Sequence, residues 1–369
     1  LYKILTIVGA RPQFIKAAAV SRAILDEFST VLNEVIVHTG QHYDENMSQV
    51  FFDELEIPRP AVNLAVKASS HGAMTGRMLE QIEELILSEQ PDAILIYGDT
   101  NSTLAGALAA SKLHVPVFHV EAGLRSFNMK MPEEVNRILS DRVSSLLFCP
   151  TDSAAENLSA EGINQGVSVV GDVMFDVALF YQDLAKEKSR LIGELDLSGT
   201  KYVLATCHRA ENTDSFERLS EILRGLAAIA EQYPVVLPLH PRTKKLIENY
   251  ELSNLLAKIV LLDPLPYLDM IALEQGATAI VTDSGGVQKE AFFCGVPCIT
   301  MRDETEWIET VALGANTLTG ADAGKILSAF ESSQSSESSR WAAKPYGDGQ
   351  ASKAIAQHMI NFLNSKEGS

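Results

Sequence analysis

Hydrophobic positions in this chain fall into short, nearly continuous runs rich in branched residues, each followed by a longer stretch with helical spacing. Strands are predicted over 4–8, 34–38, 93–97, 117–120, 146–149 and 167–170. A second series is predicted over 202–206, 235–239, 259–262, 279–282, 297–300 and 316–318. Amphipathic stretches such as 72–87, 103–113, 215–232 and 286–294 lie between them. Strands separated by helices of this length imply right-handed βαβ crossovers and parallel sheets. Strands that are apolar on both faces imply sheets covered on both sides. The fold class is therefore α/β, with two doubly wound domains meeting near 171–181. Domains of this kind, facing one another, would leave a ligand-sized cleft between their strand ends. The Ser-rich run 332–339 reads as a loop, and 350–363 as a last helix.

Polar residues gather where these strands end. Asp99 and Glu121 each follow an apolar run, and Glu133 opens a helix. Ligands of open α/β sheets bind outside the carboxyl ends of the strands. Acids grouped there push one another's pKa values apart, so that one site can supply both an acid and a base. The first strand runs into Gly9-Ala10-Arg11-Pro12-Gln13-Phe14-Ile15-Lys16. Gly9 permits a tight turn, and a helix start with Arg11 and Lys16 beside it suits an anion, although both could be plain solvated cations. The pattern is not GxGxxG, so a dinucleotide site is not indicated.

In the second half, Thr282-Asp283-Ser284-Gly285-Gly286 joins a strand to a helix. Paired glycines let backbone N–H groups approach phosphate oxygens, and Glu290 lies about a turn later, where it could accept two ribose hydroxyls. An ordinary helix capped by Asp283 or Ser284 would account for the Ser but not for both glycines. His208-Arg209 and His240 with Arg242 stand at two further strand ends, a pattern suited to a diphosphate or a sugar. Glu133 and Arg137 are spaced for an i,i+4 ion pair, and Arg125 is expected near Glu121. His114 and His119 with Glu121 lack a third ligand at metal spacing, so no metal is expected.

Composition narrows the partners. With 369 residues and a formal charge of −18, the chain fits two domains and argues against nucleic acid or an anionic membrane as main partner. Its 4 cysteines, without CxxC spacing, read as buried thiols in a reducing compartment. Neither a leader pattern nor a membrane-length apolar run is visible, so a cytoplasmic protein is expected.

Taken together, the motifs resemble the non-hydrolysing UDP-N-acetylglucosamine 2-epimerases. The matches run through Gly9–Lys16, Thr39-Gly40-Gln41-His42, Gly98-Asp99-Thr100, His119-Val120-Glu121-Ala122-Gly123-Leu124-Arg125, Pro132-Glu133-Glu134, His208-Arg209, Asp283–Gly286, Met301-Arg302-Asp303 and Pro345–Gly349. The resemblance implies a GT-B architecture of two Rossmann-like domains, 1–172 and 173–349, with helix 350–364 returning to the first. It implies inversion at C2 of a UDP-linked 2-acetamido sugar: elimination of UDP to a 2-acetamidoglycal, then re-addition with a proton on the other face. Asp99, Glu121 and Glu133 would be the catalytic acids, with His208 beside them. Arg11, Lys16, Arg137, Arg209, Glu211, His240 and Arg302 would contact substrate. Ser284, Gly285 and Gly286 would take phosphate oxygens, and Glu290 the ribose. No cofactor is implied, and a homodimer serving polysaccharide synthesis is.

The family's second, activating UDP-sugar would fall at Gln41, His42 and Arg77, where this chain carries a longer, more acidic segment. Gln13, Phe14 and Ser126-Phe127-Asn128-Met129 look more like the branch acting on UDP-2,3-diacetamido-2,3-dideoxyglucuronate, whose carboxylate Lys130 could counter. A GT-B glycosyltransferase would use the same UDP site but usually one base. A hydrolysing epimerase would admit water to the same acids, and a UDP-sugar sensor would gain nothing from them.

Overall fold

The computed structural model describes residues 1–40, 52, 56–68, 70–334, 338–341 and 343–367. The chain divides into two compact units, Leu1–Val177 with Pro345–Ser369, and Ala178–Lys344. The division falls inside the helix Val173–Lys188.

The first unit is built on a parallel sheet of β1 (Tyr2–Val8), β2 (Leu32–His38), β3 (Val62–Asn63), β4 (Ala93–Tyr97), β5 (Val117–Val120), β6 (Leu146–Cys149) and β7 (Val167–Val169). Their order across the sheet is β3-β2-β1-β4-β5-β6-β7. The second unit carries β8 (Val203–Thr206), β9 (Val235–Pro238), β10 (Ile259–Leu262), β11 (Ala279–Thr282), β12 (Cys298–Thr300) and β13 (Asn316–Leu318), in the order β10-β9-β8-β11-β12-β13. Both orders reverse direction beside the first strand of the unit, between β1 and β4 and between β8 and β11. That is the doubly wound arrangement, whose switch point is the usual ligand position.

Alternation along the strands assigns the faces. Val203 and Ala205 of β8 enter one core of the second unit, while Leu204 enters the core on the opposite face. The same split separates Val235 and Leu237 from Val236, and Ala279 and Val281 from Ile280. Every residue of β4 is buried, which is why the strand carries no polar alternation. Six of the described helices begin on side-chain caps in which Ser70, Thr100, Thr151, Ser215, Ser284 and Asp322 each accept a backbone N–H three residues on.

The strand β3 was not expected. It has two residues, too few to show a period, and pairs with Val37 and His38 of β2. Ser332 and Ser333 close the helix Ala323–Ser333 instead of belonging to a loop. The last helix, Ala351–Glu367, packs on the first unit. Phe362 meets Phe118 of β5 edge-on at 5.3 Å, and Asp176 accepts the Ala351 and Ser352 N–H groups at 3.2 and 2.7 Å. Among the described residues, no helix is long and apolar enough to cross a membrane.

Candidate active site

At the end of β1 the chain turns into the helix Arg11–Ala23. Gln13 holds this turn. Its Oε1 accepts from the Gly9 and Ala10 N–H groups at 2.8 and 3.1 Å, and its Nε2 donates to the Tyr97 carbonyl at 2.8 Å. One buried amide thus fastens the loop after β1 to the end of β4. Gly9 is required by close approach rather than by turn conformation. A Cβ there would lie 2.0 Å from Ser102 Oγ and 2.4 Å from Thr39 Oγ1. Arg11 is exposed at the first turn, and Lys16, one turn further on, is only 18% exposed.

The acids do not pair with one another; two of them are matched with cations. Lys16 Nζ bonds Glu121 Oε2, and the Glu121 carboxylate is 7% exposed. Burial alone would depress the Lys16 ammonium, but the charge and hydrogen bond of Glu121, helped by Asp172 and Asp99, leave its pKa raised. Arg137 places Nη2 2.5 Å from Asp99 Oδ2 and Nη1 2.7 Å from Glu134 Oε2. Burial likewise disfavours the Arg137 cation, and Asp99 and Glu134 outweigh it. Asn136, one residue earlier on the helix Pro132–Val143, donates to the Asp99 carbonyl at 2.8 Å. Glu121 has φ +66°, a left-handed conformation that costs a non-glycine residue roughly 1–3 kcal/mol and gathers at functional sites.

The neighbouring acids Glu133 and Glu134 part company. Glu133 is exposed. Glu134 is 1% exposed and accepts the Ser126 and Phe127 N–H groups at 2.9 and 2.8 Å. Burial would raise the Glu134 pKa, but those amides and Arg137 hold it low. The expected Glu133–Arg137 pair does not form, because Arg137 turns to Glu134 and Asp99. Nor does Arg125 pair with Glu121: it lies buried against Asp141 at 2.7 Å and grips Glu161. His119, read from the sequence only as a poor metal ligand, has Nδ1 on Asp141 and Nε2 on the Gly98 carbonyl. No cluster of three or more metal-ligating side chains occurs among the described residues.

In the second unit, Asp283 is the organising residue. It is fully buried after β11 and accepts from the backbone N–H groups of His208 and Arg209 at 3.0 Å each, and from Asn212 Nδ2 at 3.2 Å. His208 Nδ1 lies 3.2 Å from its other oxygen, leaving a half-exposed ring. Burial would raise the Asp283 pKa; His208 and these donors keep it below the usual carboxylate value. Ser284 caps the helix Gly285–Phe293 through Val287 N–H. A Cβ on Gly285 would meet nothing closer than the Arg209 guanidinium and Trp307 Nε1 at 3.7 Å, and one on Gly286 nothing closer than 3.9 Å. Internal packing therefore leaves room for a side chain at both positions.

Glu290 accepts from the Tyr267 hydroxyl at 3.2 Å. Burial raises its pKa despite Tyr267 and Lys289. Arg302 is 4% exposed and grips Glu306 at 2.9 and 3.1 Å, while its buried Nε finds no acceptor among the described residues. Glu211 is exposed. His240 is exposed and caps the helix Pro241–Asn249, its Nδ1 accepting from Arg242 N–H at 3.2 Å. Gln41 and His42 lie outside the described residues, whereas Arg77 donates to the Lys67 carbonyl at 2.5 Å. Asn136, Asp141 and Glu306 were not singled out from the sequence, and Gln13 and Glu134 entered it only as parts of motifs, not as residues that hold the loops. Polar residues inside helical runs were the only signal for most of them.

Two Rossmann-ordered units, with acids at the strand ends of one and a Ser-Gly-Gly helix start in the other, define a GT-B-like α/β protein. The chain belongs to the UDP-N-acetylglucosamine 2-epimerase family, whose model matches residues 26–360. A UDP-2,3-diacetamido-2,3-dideoxy-D-glucuronate 2-epimerase of Pseudomonas aeruginosa is 54% identical over 98% of this chain and 100% of that protein. A UDP-N-acetylglucosamine 2-epimerase homolog of Methanococcus maripaludis is 51% identical over 98% of this chain and 100% of that protein. A crystal structure of the Methanocaldococcus jannaschii UDP-GlcNAc 2-epimerase with UDP-GlcNAc and UDP superimposes with a TM-score of 0.80 at 43% identity, covering 97% of this chain and 99% of that one.

Proposed function

We propose that this protein inverts C2 of a UDP-linked 2-acetamido sugar without net hydrolysis, and that UDP-2,3-diacetamido-2,3-dideoxyglucuronate is its favoured substrate. The observation that carries the reaction class is the pair of cation-matched acids, Asp99 with Arg137 and Glu121 with Lys16, on adjacent loops of a chain in this family. Similarity to the Pseudomonas protein and the 126–129 segment support the uronate over UDP-N-acetylglucosamine.

The C2 proton of such a sugar has no carbonyl beside it to acidify it. The C1–O bond to the diphosphate must therefore break first, or well ahead, giving oxocarbenium character that nearby carboxylates stabilise. Loss of the C2 proton then gives the 2-acetamidoglycal. In the reverse direction UDP returns to C1 and a proton reaches the opposite face of C2. Two faces need two proton carriers, and Asp99, Glu121 and Glu133 are the candidates. Lys16 and Arg137 compensate the changing charge on Glu121 and Asp99. Gly285 and Gly286, with Ser284, Arg209 and His208, are assigned to the diphosphate. The open space where two Cβ atoms could stand supports that assignment. Glu290 is assigned to the ribose and Arg302 to the same nucleotide, with Arg11 on the anionic part of the sugar nucleotide. Glu211 and His240 are assigned to the substrate as well.

Proton NMR in deuterated water, with each sugar nucleotide in a separate tube, tests the reading. Deuterium at C2 together with C2-inverted product is expected, faster for the diacetamido uronate. Turnover confined to UDP-N-acetylglucosamine would reassign the substrate. Free UDP with unlabelled sugar, or no exchange in either tube, would remove the epimerase reading.

A further inference from the structure

A buried group behind the acid loops has no part in the chemistry above. His119 stands on β5, two residues before Glu121, and is 0% exposed. Its Nδ1 lies 2.7 Å from Asp141 Oδ1 and its Nε2 lies 2.8 Å from the Gly98 carbonyl oxygen. A carbonyl only accepts, and Asp141 has no proton to offer: its other oxygen takes Gly123 N–H at 3.1 Å and Arg125 Nη1 at 2.7 Å. A neutral imidazole has one N–H, so one of the two contacts would set lone pair against lone pair at a ring that is itself 0% exposed. Both ring nitrogens must donate, which makes the ring an imidazolium.

The surroundings agree. Burial alone would lower the His119 pKa, but the hydrogen bond and charge of Asp141, the Gly98 carbonyl and the charge of Glu121 reverse this and raise it. Burial would raise the Asp141 pKa, and His119 and Arg125 bring it down. These groups reach the ring from the loop after β4, from the end of β5 and from the helix Pro132–Val143. Cys149 of β6 lies in the same field of Asp141 and Arg125, its thiol pushed up to about 12 chiefly by burial.

Asp141 thereby reaches two loops at once. Through His119 it holds the carbonyl of Gly98, the residue before Asp99. Directly it holds the N–H of Gly123, two residues after Glu121. Arg125 closes the network by gripping Glu161 at 2.7 and 2.8 Å. We propose that His119 is a positioning residue, kept as an imidazolium, that joins the Asp99 loop to the Glu121 loop through Asp141 and fixes the separation of the two acids. Its effect on turnover rests on the epimerase reading; its charge does not.

The first arm of the test is nitrogen-15 NMR of the full chain labelled at its 8 histidines, with H119Q used for assignment. One histidine, absent from H119Q, is expected to keep both ring nitrogens protonated through neutral pH and beyond the range in which an ordinary histidine loses its proton. An unprotonated His119 nitrogen at neutral pH would overturn the proposal. The second arm is kinetic. Gln keeps one donor and loses the other, so H119Q is expected to lower kcat about 10–100-fold, as small misplacements of reacting groups do. KM is expected to stay unchanged, with the folded fraction fixed by calorimetric UDP stoichiometry. Undiminished kcat would overturn the positioning role. Should H119Q not fold, R125K leaves His119 intact and loosens Asp141. The same kcat-selective loss is then expected, and its absence would count against the proposal. Wild-type protein that exchanges no C2 proton would remove the epimerase reading alone, and the NMR arm would still decide the charge of His119.

Discussion

Asp99 shows how much of the site can be read residue by residue. It was visible in the sequence because an acid two residues past a fully apolar strand has no packing reason to be there. Replacement by Asn preserves shape but removes the proton-carrying function proposed for Asp99 and weakens its bond to Arg137. We expect D99N to bind UDP as the wild type does and to lose turnover by about 10²–10⁴-fold, the usual span for a positioned acid or base. Calorimetry with UDP and C2 exchange in deuterated water check the two halves separately, and normal turnover would take Asp99 out of the reaction. Glu133 and Glu134 mark where such reading stops. Adjacent in sequence and alike in chemistry, they differ because one faces water and the other accepts two loop amides. No pattern of hydrophobicity distinguishes an acid that is free to meet a ligand from one that is taken up by the backbone.

At the scale of elements the pattern was far more legible. Strands β4, β5, β6 and β11 stand at their expected residues, because burial on both faces leaves a continuous apolar run that ends where the strand ends. The edge strands β10 and β13 also stand where expected, though each is partly exposed. The loops were legible as positions but not as shapes. Gly123 is an example: its φ of +79° and its closeness to the helix Asp152–Ala160 are tertiary facts. A Cβ there would stand 2.2 Å from the Ala154 carbonyl oxygen. G123A is therefore expected to destabilise the protein by about 1–3 kcal/mol through overpacking, with the left-handed backbone adding to the cost. It is also expected to disturb the bond from Gly123 N–H to Asp141. Urea unfolding measures the first effect and kcat the second. An unchanged midpoint would show that the helix Asp152–Ala160 gives way at little cost.

For the whole molecule, the two-unit division was foreshadowed by two series of strands, while the return of the last helix to the first unit came from family resemblance alone. Its contribution can be gauged from its buried side chains. Ile355, Met359, Ile360 and Leu363 are all at most 8% exposed, and burying each stabilises by about 1.5–3 kcal/mol. That approaches the roughly 5–15 kcal/mol by which whole domains are stable. Chain ending before Pro345 is expected to be insoluble or to lose the cooperative unfolding of the first unit, as judged by calorimetry. Retention of that transition would mean that the sheet closes its core without the helix.

The same connectivity gives the protein a particular order of birth. The second unit is a contiguous stretch set inside the first, so its residues are all available while the first still lacks its closing helix. At ~5–20 residues per second of synthesis, the early sheet waits roughly ten to forty seconds for that helix. During that time the acid loops are already made, and the apolar surface around Phe118 waits uncovered for Phe362. Damage to the last helix therefore bears on whether the newly made chain escapes aggregation, as well as on the stability of the finished fold.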